Sequence, residues 1–365
     1  MGCATAWRLA EAGAQVTVLE RAVPGAEASS AAAGILGAQI ESSGPGPLLE
    51  LCLASRALWP QFAAQLQQAS GVDVRFLRHG LLEICTTPAE VTAARARAQW
   101  QTAVGLRAQW LPRAQALAHV PVLGPAVLGA LHVVDDAQVE PRLLVRALAI
   151  AAQRAGAHFL AGHTVTRVEA ASAQVAAVVT DRSRLPTDAV VVAAGAWTDC
   201  VAGLPQLRTA VVPQHGQLLM LQLPRPLFAL TLAGQRGYVV PRADGRVVVG
   251  ATSEALGYEK QVTAHGTARL LELARSFVPA LAAAPVVETW SGLRPRPQDG
   301  LPLLGPHSGL PGLVLASGHH RNGILLTPVT AEVAARAVLG KTQPLDITPF
   351  APNPARAAPT CRTES

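Results

Sequence analysis

The sequence predicts an α/β protein in which a doubly wound, Rossmann-like nucleotide-binding domain is interleaved with an α+β domain carrying an antiparallel sheet. Three observations carry this reading. Residues 2–13, GCATAWRLAEAG, followed by AQVTVLER, read as a helix of small residues, a glycine turn and a short buried strand closing on Glu20. A second helix and a set of short strands fill 141–193 and finish in DAVVVAAGAW, a return to buried parallel-type strands. Between 206 and 255 apolar residues alternate, and Asp244-Gly245 separates YVVPR from RVVVGAT at hairpin spacing.

In chain order, Ala6, Leu9 and Ala10 fall at helical spacing and Gly13 ends the first helix. A dinucleotide-binding unit starts with an apolar strand and G-x-G-x-x, so Gly2 takes the place of the third glycine. The first strand is expected to be missing, and the chain reads as N-terminally truncated by about fourteen residues of strand and turn. An amphipathic helix runs from Pro47 to about Ser70 with a kink expected at Pro60, and GLLEICTT (80–87) reads as a strand. Helix is expected across much of 88–118. Pro141 sits in a first helical turn, and LLVRALAIAAQRAG is capped by Gly156. A helix around 264–278, a strand near 312–317, the loop SGHHRNG and a helix over 323–339 stopped by Gly340 follow, and residues 343–365 read as a loose tail.

Composition bounds the function. Of 365 residues half are hydrophobic and 15% charged, the balance of a packed globular protein. The net charge of +6 rests on arginines scattered along the chain, Lys260 and Lys341 being the only lysines, which is not a nucleic-acid footprint. The richest apolar stretch, Leu143 to Leu160, is broken by Arg146, Gln153, Arg154 and His158, so no membrane span is expected, and Arg8 and Glu11 break any leader pattern. Five cysteines without a C-x-x-C pair point to a reducing cytoplasm, and neither they nor the adjacent His319 and His320 have metal-ligand spacing, so no metal is expected.

Several segments have residue types suited to chemistry. Glu20 is either a carboxylate for the two ribose hydroxyls of an adenosine or a solvated strand-end acid. SSAAAGIL, Ser29 to Leu36, lets backbone approach a pyrophosphate or flat ring, or starts a plain alanine-rich helix. AAGAW, with Ala194 and Gly195, closes a buried strand in a small-residue turn suited to a cofactor or to packing. Arg294, stiffened by Gly and Pro neighbours in WSGLRPRPQDGLPLLG, could hold a carboxylate in two parallel bonds or be merely solvated. The loop from His319 to Gly323 feeds a helix N-terminus, a place for an anion or an electron-rich carbonyl. No G-x-S-x-G elbow occurs.

Read together, GCATAWRLAEAGAQVTVLER, SSAAAGIL, AAGAW, YVVPRADGRVVVGATSE, GLRPRPQDGLPLLG and GHHRNGILLTP stand in the order of the FAD-dependent amine oxidases of the D-amino-acid oxidase class, and most resemble its bacterial glycine oxidases of thiamine biosynthesis. The resemblance runs from Gly2 to about Gly340. It implies an FAD domain at 1–40, 137–205 and 285–342 and a substrate domain at 41–136 and 206–284. It also implies that Gly2 belongs to the fingerprint, that Glu20 and Arg21 meet the ribose, and that Ala28, Ser29, Ala33, Gly34 and Ile35 meet the pyrophosphate and ring. Val165 would face the adenine through backbone, and His319, His320, Arg321, Asn322, Gly323, Ile324 and Leu325 would wrap the isoalloxazine edge. Arg294 and Tyr238 would hold the substrate carboxylate, with Arg321 at the substrate edge.

The reaction so implied is hydride transfer from the α-carbon of glycine or a small amino acid to flavin N5, with reoxidation by O₂ to peroxide and an imine that hydrolyses or passes to thiazole synthase. The flavin does the chemistry, so no catalytic acid or base is named. No cysteine lies near Arg294 to tether the flavin, so FAD is expected to be noncovalent. His320 stands where an aromatic is common and His215 where a longer base is usual, which affects substrate preference. A sarcosine or D-amino-acid oxidase, a dehydrogenase reducing a quinone, and an FAD-free remnant or binding protein are the alternative readings; a homo-oligomer is the family's usual state.

Overall fold

In the computed structural model of the chain, residues 1–354 are described. The helix Gly2–Glu11 buries Trp7 together with Ala4, Ala6 and Ala10, and the three alanines let it lie close against the helices Pro141–Arg154 and Thr327–Val338. Gly13 takes φ +85° and turns the chain into the strand Thr17–Glu20. That strand pairs parallel with His158–Ala161, and Val190–Val192 pairs parallel with Leu313–Ser317, which also pairs antiparallel with Leu303–Pro306. The parallel sheet therefore stands in two pieces. The edges of Thr17–Glu20 and Val190–Val192 face one groove, and no strand among the described residues joins them.

The strands read at 157–193 are not all of parallel type. Val165–Ala171, Gln174–Thr180 and Arg184–Pro186 form an antiparallel meander instead. Its first turn is made by Ser172 and Ala173, both at positive φ, which matches the right-handed twist of a tight hairpin.

An eight-stranded sheet forms the other layer, in the order Val286–Pro297, Val211–Gln222, Arg246–Gly250, Gly237–Pro241, Thr231–Gly234, Leu81–Cys85, Gly129–Val133, Ala108–Pro112. The hairpin read at Asp244-Gly245 is present, with Pro241 opposite Val247 and Gly245 at φ +84°. The expectation of helix across 88–118 is corrected in part. Between the helices Pro88–Ala103 and Arg113–His119 the strand Ala108–Pro112 pairs with Gly129–Val133 as the sheet's last strand. Five residues are too few to show a period, and a partner far along the chain decided their state.

The helix Pro47–Ser70 runs unbroken across Pro60 and ends at Gly71, in the left-handed region. Its Trp59 and Leu66 are fully buried with Trp7 and Phe62. A fully buried tryptophan of this kind is worth about 3–5 kcal/mol on truncation. The tail expected to be loose from 343 is packed as far as 354. Phe350 is 1% exposed in the main core, Arg208 N–H donates to the Pro352 carbonyl at 2.8 Å, and Asn353 accepts from Ser308 N–H at 2.8 Å. A single phenylalanine amid Pro and Ala has no period to announce its burial. The rest of that expectation, 355–365, lies outside the described residues. No helix among the described residues is long and apolar enough to cross a membrane.

Candidate functional site

A groove of about 1130 Å³ runs along the split edge of the parallel sheet. Of the cofactor- and substrate-binding residues expected from the sequence, all but Asn322 and Leu325 line it. The groove thus brings together Gly2, Glu20, Arg21, Val165, the Ala28–Ile35 segment, Ala194–Gly195 and the 319–324 loop with Tyr238 and Arg294, which are far apart in the chain.

One part of its wall is main chain with short side chains. The single turn Ala28–Ala31 leads through Ala32 and Ala33 to Gly34, at φ +85°. A Cβ at 34 would lie 2.1 Å from the Val139 carbonyl oxygen, so only glycine fits. Two long side chains behind the wall hold this segment. Trp290 Nε1 donates to the Ala31 carbonyl at 3.0 Å, and the buried Arg242 donates to the carbonyls of Ala33 (2.5 Å) and Val139 (3.1 Å) and to Gln138 Oε1 (3.1 Å). Burial lowers the Arg242 pKa to about 10, still well above neutrality. Gly292 belongs to the same contact, since a Cβ there would meet Ala31 Cβ at 2.5 Å. Glu20 ends its strand with Oε1 accepting from Ala22 N–H at 2.9 Å. Beside it Arg21 lies over the Trp197 ring, 4.2 Å from its centroid, and pairs with Glu27, which also pairs with Lys260.

A second part of the wall is charged. Antiparallel pairing sets Gln214 opposite Arg294 and Gly216 opposite Gly292. The Arg294 guanidinium crosses Gly216, where a Cβ would come within 2.3 Å of Nη1, and Nη1 donates to the Thr252 carbonyl at 3.2 Å. Burial raises the Tyr238 phenol above its usual range, while the neighbouring Arg294 and Arg321 pull it the other way. His320 sits at φ +47°, in the region L-residues avoid, with Nε2 against Gln214 Oε1. Burial first, then Arg294, Arg321 and Arg296, lower its pKa to about 4. His319, with Nε2 3.0 Å from Thr330 Oγ1, is lowered to about 3, chiefly by burial. Both histidines are therefore neutral at pH 7. Arg321 meets Glu41 in a two-pronged pair, Nε to Oε2 at 2.5 Å and Nη2 to Oε1 at 2.9 Å.

Asn322 and Leu325 act behind the wall. Asn322 makes the turn that continues into Leu326, and the Leu325 carbonyl accepts from Ser55 Oγ (2.7 Å) and Trp59 Nε1 (2.8 Å), which ties the loop to the long helix. His215 does not line the groove; it is fully buried with Nδ1 on Glu254 at 2.8 Å. Among the described residues no three His, Cys, Asp or Glu side chains are gathered as a metal site requires.

A long groove with a Cβ-free backbone turn, a strand-end carboxylate and an arginine without a carboxylate fits an extended dinucleotide with a small anion beside it. The profile of the D-amino-acid oxidase (DAO) family, described as FAD dependent oxidoreductase, matches residues 1–337. The chain belongs to that family. The FAD-dependent oxidoreductase is 37% identical to the glycine oxidase of Geobacillus kaustophilus over 96% of this chain and 93% of that one. The crystal structure of glycine oxidase from that organism superposes with a TM-score of 0.93, covering 96% of this chain and 95% of that chain. A bifunctional protein ThiO/ThiG of Synechocystis is also 37% identical, over 91% of this chain but 49% of that longer protein.

Sequence reasoning missed Glu41, Arg242, Gln214 and Trp290. Each acts on a partner at least 100 residues away, so nothing nearby in the sequence marked it.

Proposed function

We propose that the protein oxidises glycine or another small amino acid to its imine, with O₂ as acceptor and peroxide as second product. One observation carries the reading. Of the three arginines on the groove wall, Arg21 is paired with Glu27 and Arg321 with Glu41, whereas Arg294 has no carboxylate partner among the described residues. A substrate carboxylate supplies that partner, and the Tyr238 hydroxyl stands beside it.

FAD, held noncovalently, supplies hydride acceptance and electron transfer to oxygen. Gly2, Ala28, Ser29, Ala33, Gly34, Ile35, Ala194 and Gly195 would meet its pyrophosphate and ring, Glu20 and Arg21 its ribose, and Val165 its adenine. His319, His320, Gly323 and Ile324 would flank the isoalloxazine, with Asn322 and Leu325 fixing the loop from behind. The protein's own part is binding and orientation. Glu41 is committed to Arg321, and burial lowers the pKa of the hydrogen-bonded His319 to about 3 and of His320 to about 4, which makes both imidazoles weak bases, so no carboxylate or imidazole is suited to take a proton beside Arg294. The match of this chain to about half of a bifunctional ThiO/ThiG protein supports delivery of the imine to thiazole formation. A cytoplasmic setting accords with that role.

The test is the purified protein's flavin content together with peroxide release on glycine, sarcosine and D-alanine. We expect one FAD per chain, released on denaturation, and the highest kcat/KM on glycine. A colourless protein would identify an FAD-free binding protein. Faster turnover of sarcosine or D-alanine would reassign the substrate, and reduction of quinones without peroxide would make it a dehydrogenase.

A further inference from the structure

We infer that Glu41 determines the class of substrate, restricting the site to amino acids with one carboxylate by occupying Arg321. The inference rests on the amino-acid-oxidase reading above and adds to it what the substrate's second substituent can be.

Two guanidiniums, Arg294 and Arg321, face the groove near Tyr238, and Glu41 is the carboxylate beside them. Both Glu41 oxygens are used on Arg321, so the cluster has one net positive charge, on Arg294. A single substrate carboxylate neutralises it. A second carboxylate would have to displace Glu41 from Arg321 or lie against it unpaired, and either arrangement is repulsive.

Displacement is opposed by how Glu41 is held. It ends the turn 38–41, whose amides at Gln39 and Ile40 donate to the Asp136 carboxylate at 3.2 and 3.1 Å. Asp136 is fully buried and is itself paired with Arg56 at 3.1 Å. Gln101 Nε2 donates to the Gln39 carbonyl at 3.1 Å, and Ser42 Oγ to the Ala38 carbonyl at 2.8 Å. A surface ion pair is ordinarily weak because both long side chains must be ordered. Here the acid's backbone is already ordered from behind, and its side chain is only 21% exposed.

The test titrates the oxidised holoenzyme with unreactive acetate, malonate and succinate, following the flavin absorption band. The wild type should bind acetate more tightly than either diacid. Glu41→Gln should tighten the better diacid at least tenfold more than it tightens acetate, and should raise kcat/KM for iminodiacetate relative to glycine. Adding Arg321→Met to Glu41→Gln should abolish the gain, and Glu41→Asp should keep the wild-type preference. Equal shifts for acetate and diacids, or no shift for the diacids, would overturn the inference. Should Glu41→Gln fail to fold, Arg321→Met alone serves, because it leaves Glu41 an unpaired anion and should weaken acetate about tenfold; unchanged acetate binding would refute the role. If the wild type oxidises no small amino acid while Glu41→Gln still changes the anion preference as stated, the functional reading fails and the role of Glu41 stands.

Discussion

Along Ala28–Gly34 the groove wall is main chain held from behind by Trp290 and Arg242, whereas around Arg294 it is side chains brought together from the segments at 41, 214, 238, 294 and 320–321. The first part depends on side chains being short, since Gly34 and Gly292 leave no room for a Cβ. The second depends on charge, with two arginines, one acid and two neutral histidines arranged so that a single cation is unpaired. The contrast implies that substitutions in the two parts should fail differently, the first by losing cofactor and the second by losing substrate.

The largest effect is expected at Arg294. Arg294→Ala removes one partner of a desolvated charge pair, a loss of roughly 2–4 kcal/mol. Steady-state peroxide assays should show kcat/KM for glycine lower by roughly 30- to 1000-fold. Flavin absorbance per chain should be unchanged. If flavin leaves together with activity, the separation between the two parts of the wall breaks down.

Gly34→Ala should do the reverse. Strain at positive φ and the approach to the Val139 carbonyl cost up to about 3 kcal/mol. Flavin fluorescence titration should show weakened FAD binding, while KM for glycine in the fraction that retains flavin stays near the wild-type value. A raised KM with full flavin occupancy would place Gly34 in the substrate site.

The smallest effect concerns pH. The folded pKa of His319 is depressed to about 3, below the unfolded value of about 6.5. As pH falls below 6.5 the unfolded chain takes up a proton that the folded chain refuses, so the stability present at neutral pH is lost toward acid. Between pH 7 and pH 5 this amounts to about 2 kcal/mol. Denaturant titrations of wild type and His319→Gln at the two pH values should show a smaller loss in the variant. Equal losses would mean that His319 is protonated where it stands.

Much of this was legible in the sequence because it depends on short-range pattern. The small-residue helix, the strand ending at Glu20, the SSAAAGIL segment and the Asp244-Gly245 hairpin are each contiguous, and each stands where periodicity and turn chemistry put it. Arg294 was legible for another reason, since glycine and proline neighbours marked a stiffened segment. The strand Ala108–Pro112 and the burial of Phe350 were not legible, because both states come from partners distant in sequence.

The amino-acid sequence by itself determined the α/β class, the backbone character of the cradle and the presence of an unusual arginine, since helix period, strand length and the absence of a side chain are local properties. Only the tertiary structure decided which arginine is available. Nothing near Arg294 or Arg321 in the chain distinguishes a free guanidinium from a neutralised one. The difference is made by Glu41, 280 residues from Arg321, on a turn that the buried Asp136 holds against the groove. Charge neutralisation depends on distances of a few ångströms through space, and the chain sets those distances only once it has folded.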